Sequence, residues 1–295
     1  LLLLKKKLGD NMKFCVVPND TKNLDKYKKI GADAFIFGLK DMCSGYDGIS
    51  LDEIKKITLE NSNSEIFVAV NKNFFNDELP VLENALISLS KMNINGVLFY
   101  DLAVLSIKRR LNLSLDLVWN QTHMVTNYNT CNYYYDKGVK YGVLATEITL
   151  DEMNEIKRNT EMSLFSFIMG YPLMSFSRRD LLGNYYKSSN IDSKNEKEVI
   201  VNNDKKYIIE KEKSGNGIYY GEILNGITTL KNILSDYVIL NERYIDFETF
   251  SKVFTLYKEY FETGDDALCQ KAVKLIGDYT GFFYHKTIYK VKNNE

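Results

Sequence analysis

From Met12 onward, short runs of β-branched, aromatic and aliphatic residues alternate with stretches of helical period, and this alternation narrows the possible folds more than any other feature. The strand-like runs are Lys13–Val17, Ala34–Gly38, Ile66–Val70, Gly96–Tyr100, Asp116–Trp119, Tyr141–Leu144, Leu164–Ile168 and Tyr237–Leu240. Helical patterns fall between them, over Asn23–Ile30, Leu51–Glu60, Asp77–Met92, Leu102–Leu111, Tyr128–Lys137 and Leu150–Arg158, with another at Asp246–Tyr260. Ser50-Leu-Asp-Glu53 and Thr149-Leu-Asp-Glu152 have the form of capping boxes, in which a hydroxyl caps the first turn and a carboxylate three residues on reaches back. Repeated strand–helix units mean parallel strands joined by right-handed crossovers. Seven units, an interruption and an eighth unit predict an α/β fold, a TIM-like (β/α)8 barrel, with a doubly wound open sheet as the alternative.

The interruption, Tyr185 to about Thr229, is polar and rich in Lys, Asn and Ser. Within it Val199–Asn202, Lys206–Glu212 and Gly217–Glu222 alternate like antiparallel strands, with Asn202-Asn-Asp204 and Ser214-Gly-Asn-Gly217 as turns. The expected organisation is an N-terminal extension at 1–11, barrel units one to seven at 12–184, a small antiparallel β insertion after strand seven at 185–229, and the last barrel unit with a C-terminal segment at 230–295. The leading run of four leucines and three lysines lacks the order of charges and the cleavage site of a signal peptide, so it is expected to precede a natural start at Met12.

Of 295 residues, 45% are hydrophobic and 26% charged, with a net charge of −1, so no global basic field advertises nucleic-acid binding. No apolar run approaches the roughly 18–20 residues that span a bilayer, and the protein is expected to be cytoplasmic. Four scattered cysteines (Cys15, Cys43, Cys131, Cys269) form no C-x-x-C pair and are expected as separate buried thiols. With only two histidines, His123 and His285, no metal-ligand set is evident.

In a parallel α/β fold ligands gather at the carboxyl ends of the strands. The residues there include Asn71-Lys72-Asn73, Asp101, Asn120-Gln121-Thr122-His123, Thr146-Glu147, Gly170-Tyr171 and Asn241-Glu242-Arg243. After the seventh strand comes Gly170-Tyr-Pro172, then the adjacent cations Arg178 and Arg179. Planar guanidinium forks suit carboxylates and phosphates. Asn71, Asp101, Gln121, Asn127, Glu147 and Tyr171 would then complete a polar, anion-binding mouth. The plainer alternatives are that loops are polar everywhere, that Asp and Asn cap helices, and that one arginine pairs internally with Glu147 or Asp180.

The segment from Phe167 to Gly183 resembles the signature of peptidase family U32, Phe-Val-His-Gly-Ala-x-Cys-x-x-x-Ser-Gly-Arg-Cys. Phe167, Gly170, Ser177 and Arg179 match, whereas Met169 replaces the histidine and Leu173 and Asp180 replace the two cysteines. Further segments are similar to the family in order and spacing: Ala69-Val-Asn-Lys-Asn73 with Glu78-Leu79, Asn95 to Val104, Val143 to Glu152 with Thr146 in place of an arginine, and Tyr279 to Phe283. The resemblance covers most of Met12 to Lys290.

The family is classed as collagenase-like peptidases of unknown catalytic type. Several members are instead hydroxylation factors for bases of transfer or ribosomal RNA or for quinone precursors, with an iron–sulfur cluster on four cysteines. The RNA-directed members depend on prephenate, and in some bacteria two paralogues act together. The resemblance therefore implies a role in hydroxylating a transfer-RNA uridine, as partner to a cluster-bearing paralogue. Leucine cannot ligate iron and aspartate is a poor cluster ligand, so this chain is expected to bind no cluster by the family's route. A dicarboxylate such as prephenate would suit the arginine pair.

The catalytic candidates are Glu147, Arg179, Ser177 and His123. A serine peptidase would need Ser177 beside a base, for which His123 is the available imidazole. RNA bases could stack on Tyr133-Tyr-Tyr135, Tyr185-Tyr-Lys187 or Lys205-Lys-Tyr207, although aromatic stripes more often pack in cores. The remaining alternative is a non-catalytic scaffold for a cluster-bearing paralogue.

Overall fold

A computed structural model describes residues 12–121 and 123–286; the extension at 1–11 and Thr122 lie outside the described residues. In chain order the elements begin β1 (Lys13–Val17), α1 (Leu24–Lys29), β2 (Ala34–Leu39), β3 (Gly48–Ile49), α2 (Leu51–Glu60) and β4 (Glu65–Val70). They continue through α3 (Leu79–Leu89), β5 (Gly96–Phe99), α4 (Leu102–Arg110), β6 (Leu117–Trp119), α5 (Tyr128–Asp136), β7 (Tyr141–Val143), α6 (Leu150–Arg158) and β8 (Ser163–Gly170). Next come β9 (Leu173–Ser177), α7 (Leu181–Ser188), β10 (Lys197–Asn202), β11 (Lys205–Glu212), β12 (Gly215–Tyr220) and β13 (Leu224–Asn225). The last are β14 (Tyr237–Asn241), α8 (Phe247–Thr263) and α9 (Asp266–Ile276).

Strands β1, β2, β4, β5, β6, β7, β8 and β14 pair in parallel around a closed ring, because β1 pairs with both β2 and β14. This is the expected TIM-like barrel, with helices outside it. The barrel strands are buried on both faces, which explains why the sequence shows continuous apolar runs there rather than alternation with polar residues. Along β2, Ala34 and Ile36 fill the barrel while Phe35 and Phe37 pack under the helices. Toward the amino end of the strands the interior is closed by Phe67, Tyr141, Phe165 and Tyr237, with Phe165 and Tyr237 stacked at 4.1 Å between ring centroids. The Tyr237 hydroxyl donates to Glu65 at 2.7 Å.

Between β8 and β14, strands β10, β11, β12 and β9 form an antiparallel sheet in that order. Strand β9 was not expected: it lies in the signature segment itself, which therefore runs back across the mouth as an edge of the inserted sheet. Helices α7 and α9 were also unanticipated. Helix α8 runs to Thr263, past the expected stop at Tyr260, and ends where Gly264 takes a left-handed conformation (φ 71°). Of the two expected capping boxes, Thr149–Glu152 closes in both directions. In the other, Ser50 accepts from the Glu53 amide while the Glu53 carboxylate takes the Thr21 hydroxyl instead. Among the described residues no helix is long and apolar enough to cross a membrane.

Candidate functional site

At the carboxyl ends of the strands, two arginines hold the inserted sheet to the barrel. The first is Arg178, just past β9. Its guanidinium donates to both oxygens of Glu78 at 2.9 and 3.2 Å and to the Asn73 carbonyl at 3.0 Å, and it lies 3.9 Å from the centroid of the Phe75 ring. Lys72, itself buried, donates to the same carboxylate at 2.8 Å. Burial opposes ionisation of Glu78, but these two cations and the Phe75 amide outweigh it and hold the carboxyl down at about 2. Neither Glu147 nor Asp180 is the partner of Arg178.

The second is Arg243, two residues past β14 and only 7% exposed. It pairs with Glu210, with Glu212 at 3.1 Å and with Asp47 at 3.4 Å, and its guanidinium sits about 5 Å from the rings of Tyr219 and Tyr244. Glu212 also accepts from the Tyr219 hydroxyl at 2.6 Å and the Gly45 amide at 3.2 Å. Burial raises the Glu212 carboxyl despite the neighbouring Arg243. The Ser214 hydroxyl donates to the Cys43 carbonyl at 2.7 Å, a further tie between the β11–β12 turn and the barrel.

Under β9 lies a cavity of about 160 Å³, walled by Ser44, Asn71, Lys72, Asn73, Tyr100 and His123 below and by Leu173 to Phe176 above. Its floor offers hydroxyls, amides and one imidazole, with the Lys72 ammonium turned to Glu78, while Leu173, Met174 and Phe176 give the β9 side an apolar wall. Among the described residues the buried Ser44 hydroxyl has no hydrogen-bond partner. The His123 Nδ1 stands 3.5 Å from Glu147 at an exposed edge of this mouth. Such a lining suits a small ligand with one apolar face and one face held by hydrogen bonds.

The structure brings Asn71 and His123 to this cavity, with Glu147 beside His123, and separates the other candidates. Asn71 exchanges two hydrogen bonds with the Ser44 backbone, at 3.0 and 3.1 Å. Asp101 caps α4 through the Ala103 amide and takes the Phe74 amide with its other oxygen, both at 2.9 Å. Gln121 bridges the Trp119 indole and the Tyr100 carbonyl. Asn127 caps α5. Tyr171 packs edge-on against Tyr244. The Ser177 hydroxyl accepts the Arg179 amide at 3.2 Å, and the cavity wall contains Ser175 rather than Ser177. Arg179 is exposed, and among the described residues its guanidinium has no hydrogen-bond or ionic partner. Of the tyrosine run, Tyr134 stacks on Trp119 at 4.3 Å while Tyr133 and Tyr135 face outward.

Sequence reasoning missed the Arg243 hub. The signal was present: Arg243 is itself one of the strand-end residues, and Glu210 and Glu212 share one face of β11 at i, i+2.

At the two positions that correspond to signature cysteines, Leu173 approaches Gly45 across the cavity wall. Asp180 caps α7 and pairs with Lys211 at 2.9 Å. The four cysteines are buried on separate elements, and burial pushes the thiols of Cys43 and Cys131 up to about 12 and that of Cys15 well above its ordinary value. This donor set does not fit an iron–sulfur cluster, which needs converging thiolates.

Comparison with known proteins agrees with the barrel and its signature segment. In Bacillus subtilis (strain 168), tRNA hydroxylation protein P2 is 33% identical over 175 residues, covering 58% of this chain and 57% of that protein. tRNA hydroxylation protein P1 of the same organism is 25% identical over 170 residues, covering 55% of this chain and 40% of that protein. The chain thus matches only about half the length of these relatives. The solved structure of the U32 peptidase Mk0906 superposes with a TM-score of 0.50 at 13% identity, over 78% of this chain and 92% of that one, a likeness of fold. A model of peptidase family U32 matches residues 19–274, most of the barrel together with the inserted sheet, and the chain therefore belongs to peptidase family U32.

Proposed function

We propose that this protein takes part in hydroxylation of a uridine in transfer RNA, as a cluster-free subunit working with a cluster-bearing relative from its own family. The observation that carries this reading is the 33% identity over 175 residues with tRNA hydroxylation protein P2, with P1 of the same organism also matching. The cluster-free character is supported by Leu173 and Asp180 at the signature positions and by the dispersal of the buried thiols.

On this reading the cavity under β9 holds a small ligand, with His123 and Glu147 at its edge. Arg179 is the signature cation open to an external carboxylate or phosphate, such as prephenate or the RNA backbone, because Arg178 is committed to Glu78. A serine-peptidase reading has less support, since the Ser177 hydroxyl is engaged by the Arg179 amide.

The test is mass spectrometry of nucleosides from total transfer RNA in cells with and without the gene. A hydroxylated uridine should disappear on deletion and return with the wild-type gene but not with Arg179→Glu. An unchanged nucleoside profile would overturn the reading. Full restoration by a folded Arg179→Glu variant would favour a scaffold without a working anion site.

A further inference from the structure

Strand β10 is an open edge of the inserted sheet: among the described residues no strand pairs with its outer side. Its three central residues, Val199, Ile200 and Val201, are β-branched and 57%, 42% and 65% exposed. Its register with β11 is regular across all six residues, from Lys197 opposite Glu210 to Asn202 opposite Lys205. Proteins usually guard such an edge with a bulge, a proline or an outward charge. Here the strand has no bulge or proline, and both flanking charges are turned back onto the molecule. Lys197 lies 3.7 Å over the Tyr244 ring, and Glu198 accepts from the Tyr186 hydroxyl at 2.7 Å and the Asn195 amide at 2.9 Å.

We propose that β10 is a docking surface for a second copy of this chain, which pairs antiparallel across a two-fold axis through Ile200. A two-fold perpendicular to a regular antiparallel ladder must pass through one residue and its own symmetry mate. Centring on Ile200 sets Ile200 against Ile200, Val199 against Val201 and Glu198 against Asn202, so within the strand apolar meets apolar and no like charges face one another; Glu196 and Asp204 come opposite each other only beyond its ends. Centring on Val199 would set Glu198 against Ile200, and centring on Val201 would set Ile200 against Asn202. The edge therefore carries its own complement in a single register. The net charge of −1 adds almost no repulsion between copies. The pairing joins two four-stranded sheets into one of eight, beyond either barrel mouth, and does not depend on the function proposed above.

Sedimentation or light scattering of the full chain over a concentration series should show a dimer that forms reversibly. Ile200→Lys places two lysines face to face at the axis and should weaken the dimer by roughly tenfold or more with an unchanged circular dichroism spectrum. Val201→Lys serves as the second variant if that one fails to fold. Ile200→Cys should form a disulfide-linked dimer under mild oxidation, and Glu198→Cys, which faces Asn202, should not. A chain that stays monomeric at all concentrations overturns the proposal. So does one that pairs only with a different family member, or a dimer that persists in the folded lysine variants.

Discussion

Glu78 answers to two cations at once, and its behaviour sets the acid limit of this corner of the mouth. Its folded carboxyl titrates near 2 against an ordinary 4.5. The stabilisation is therefore complete above about pH 4.5 and is lost as pH falls toward 2. Glu78→Gln should cost about 2–3 kcal/mol at neutral pH, and the gap between variant and wild type should close toward pH 2. Urea denaturation at a series of pH values reads this directly, and a gap that stays constant with pH would contradict the assignment. The pairing was not legible from sequence. Arg178 stands a hundred residues from Glu78, and nearer carboxylates such as Asp180 looked equally suitable. Asp101, Gln121 and Asn127 illustrate the converse: their types and strand-end positions suggested ligands, yet backbone amides, carbonyls and one indole occupy them. Short polar side chains at strand ends are also what helix N-termini require.

Among the elements, β9 and the sheet it joins depart most from expectation. The Gly-Tyr-Pro turn marks the end of β8 correctly, but the following Leu-Met-Ser-Phe-Ser pairs with β12 in place of remaining a loop. That pairing partner lies some forty residues on, across a helix and a hairpin, so local pattern carries no trace of it. The three inserted strands themselves were recognisable from alternation and from the turn residues between them. Arg243 is one of the two arginines that bind this sheet to the barrel. Arg243→Met should strand Glu210 and Glu212 without their cation and cost about 3–5 kcal/mol. Hydrogen exchange should quicken in β10 to β12 while the barrel strands keep their protection. Arg243→Lys should recover only part of the loss, because an ammonium lacks the planar fork that spans two carboxylates. Equal loss of protection in barrel and sheet would show that Arg243 holds the whole fold rather than the insertion.

For the whole molecule, stability rests on two apolar layers, one inside the barrel and one beneath the helices. Phe165 belongs to the inner layer, stacked on Tyr237 and edge-on to Phe67 at 5.1 Å. Phe165→Ala should cost about 3–5 kcal/mol through lost packing and the cavity it leaves. Thermal unfolding should shift down by several degrees for the barrel as one cooperative transition. A variant with unaltered melting would mean that the interior refills around the gap.

The eight barrel strands and most of their helices were determined by the sequence alone. Parallel strands buried on both faces must be continuous apolar runs, and the helices between them must carry a 3.6-residue apolar stripe. Both are local periodicities, written over ten residues or fewer. The helix starts at Ser50 and Thr149 were similarly legible, because a cap is a contact within three residues. Only the tertiary structure decided which polar groups at the mouth are spent and which face outward. Arg178 with Glu78, Arg243 with Glu210 and Glu212, and β9 with β12 are meetings of distant segments. Chain closure into a ring brings these groups together, and ionic pairing is selected by that geometry rather than by nearness in sequence.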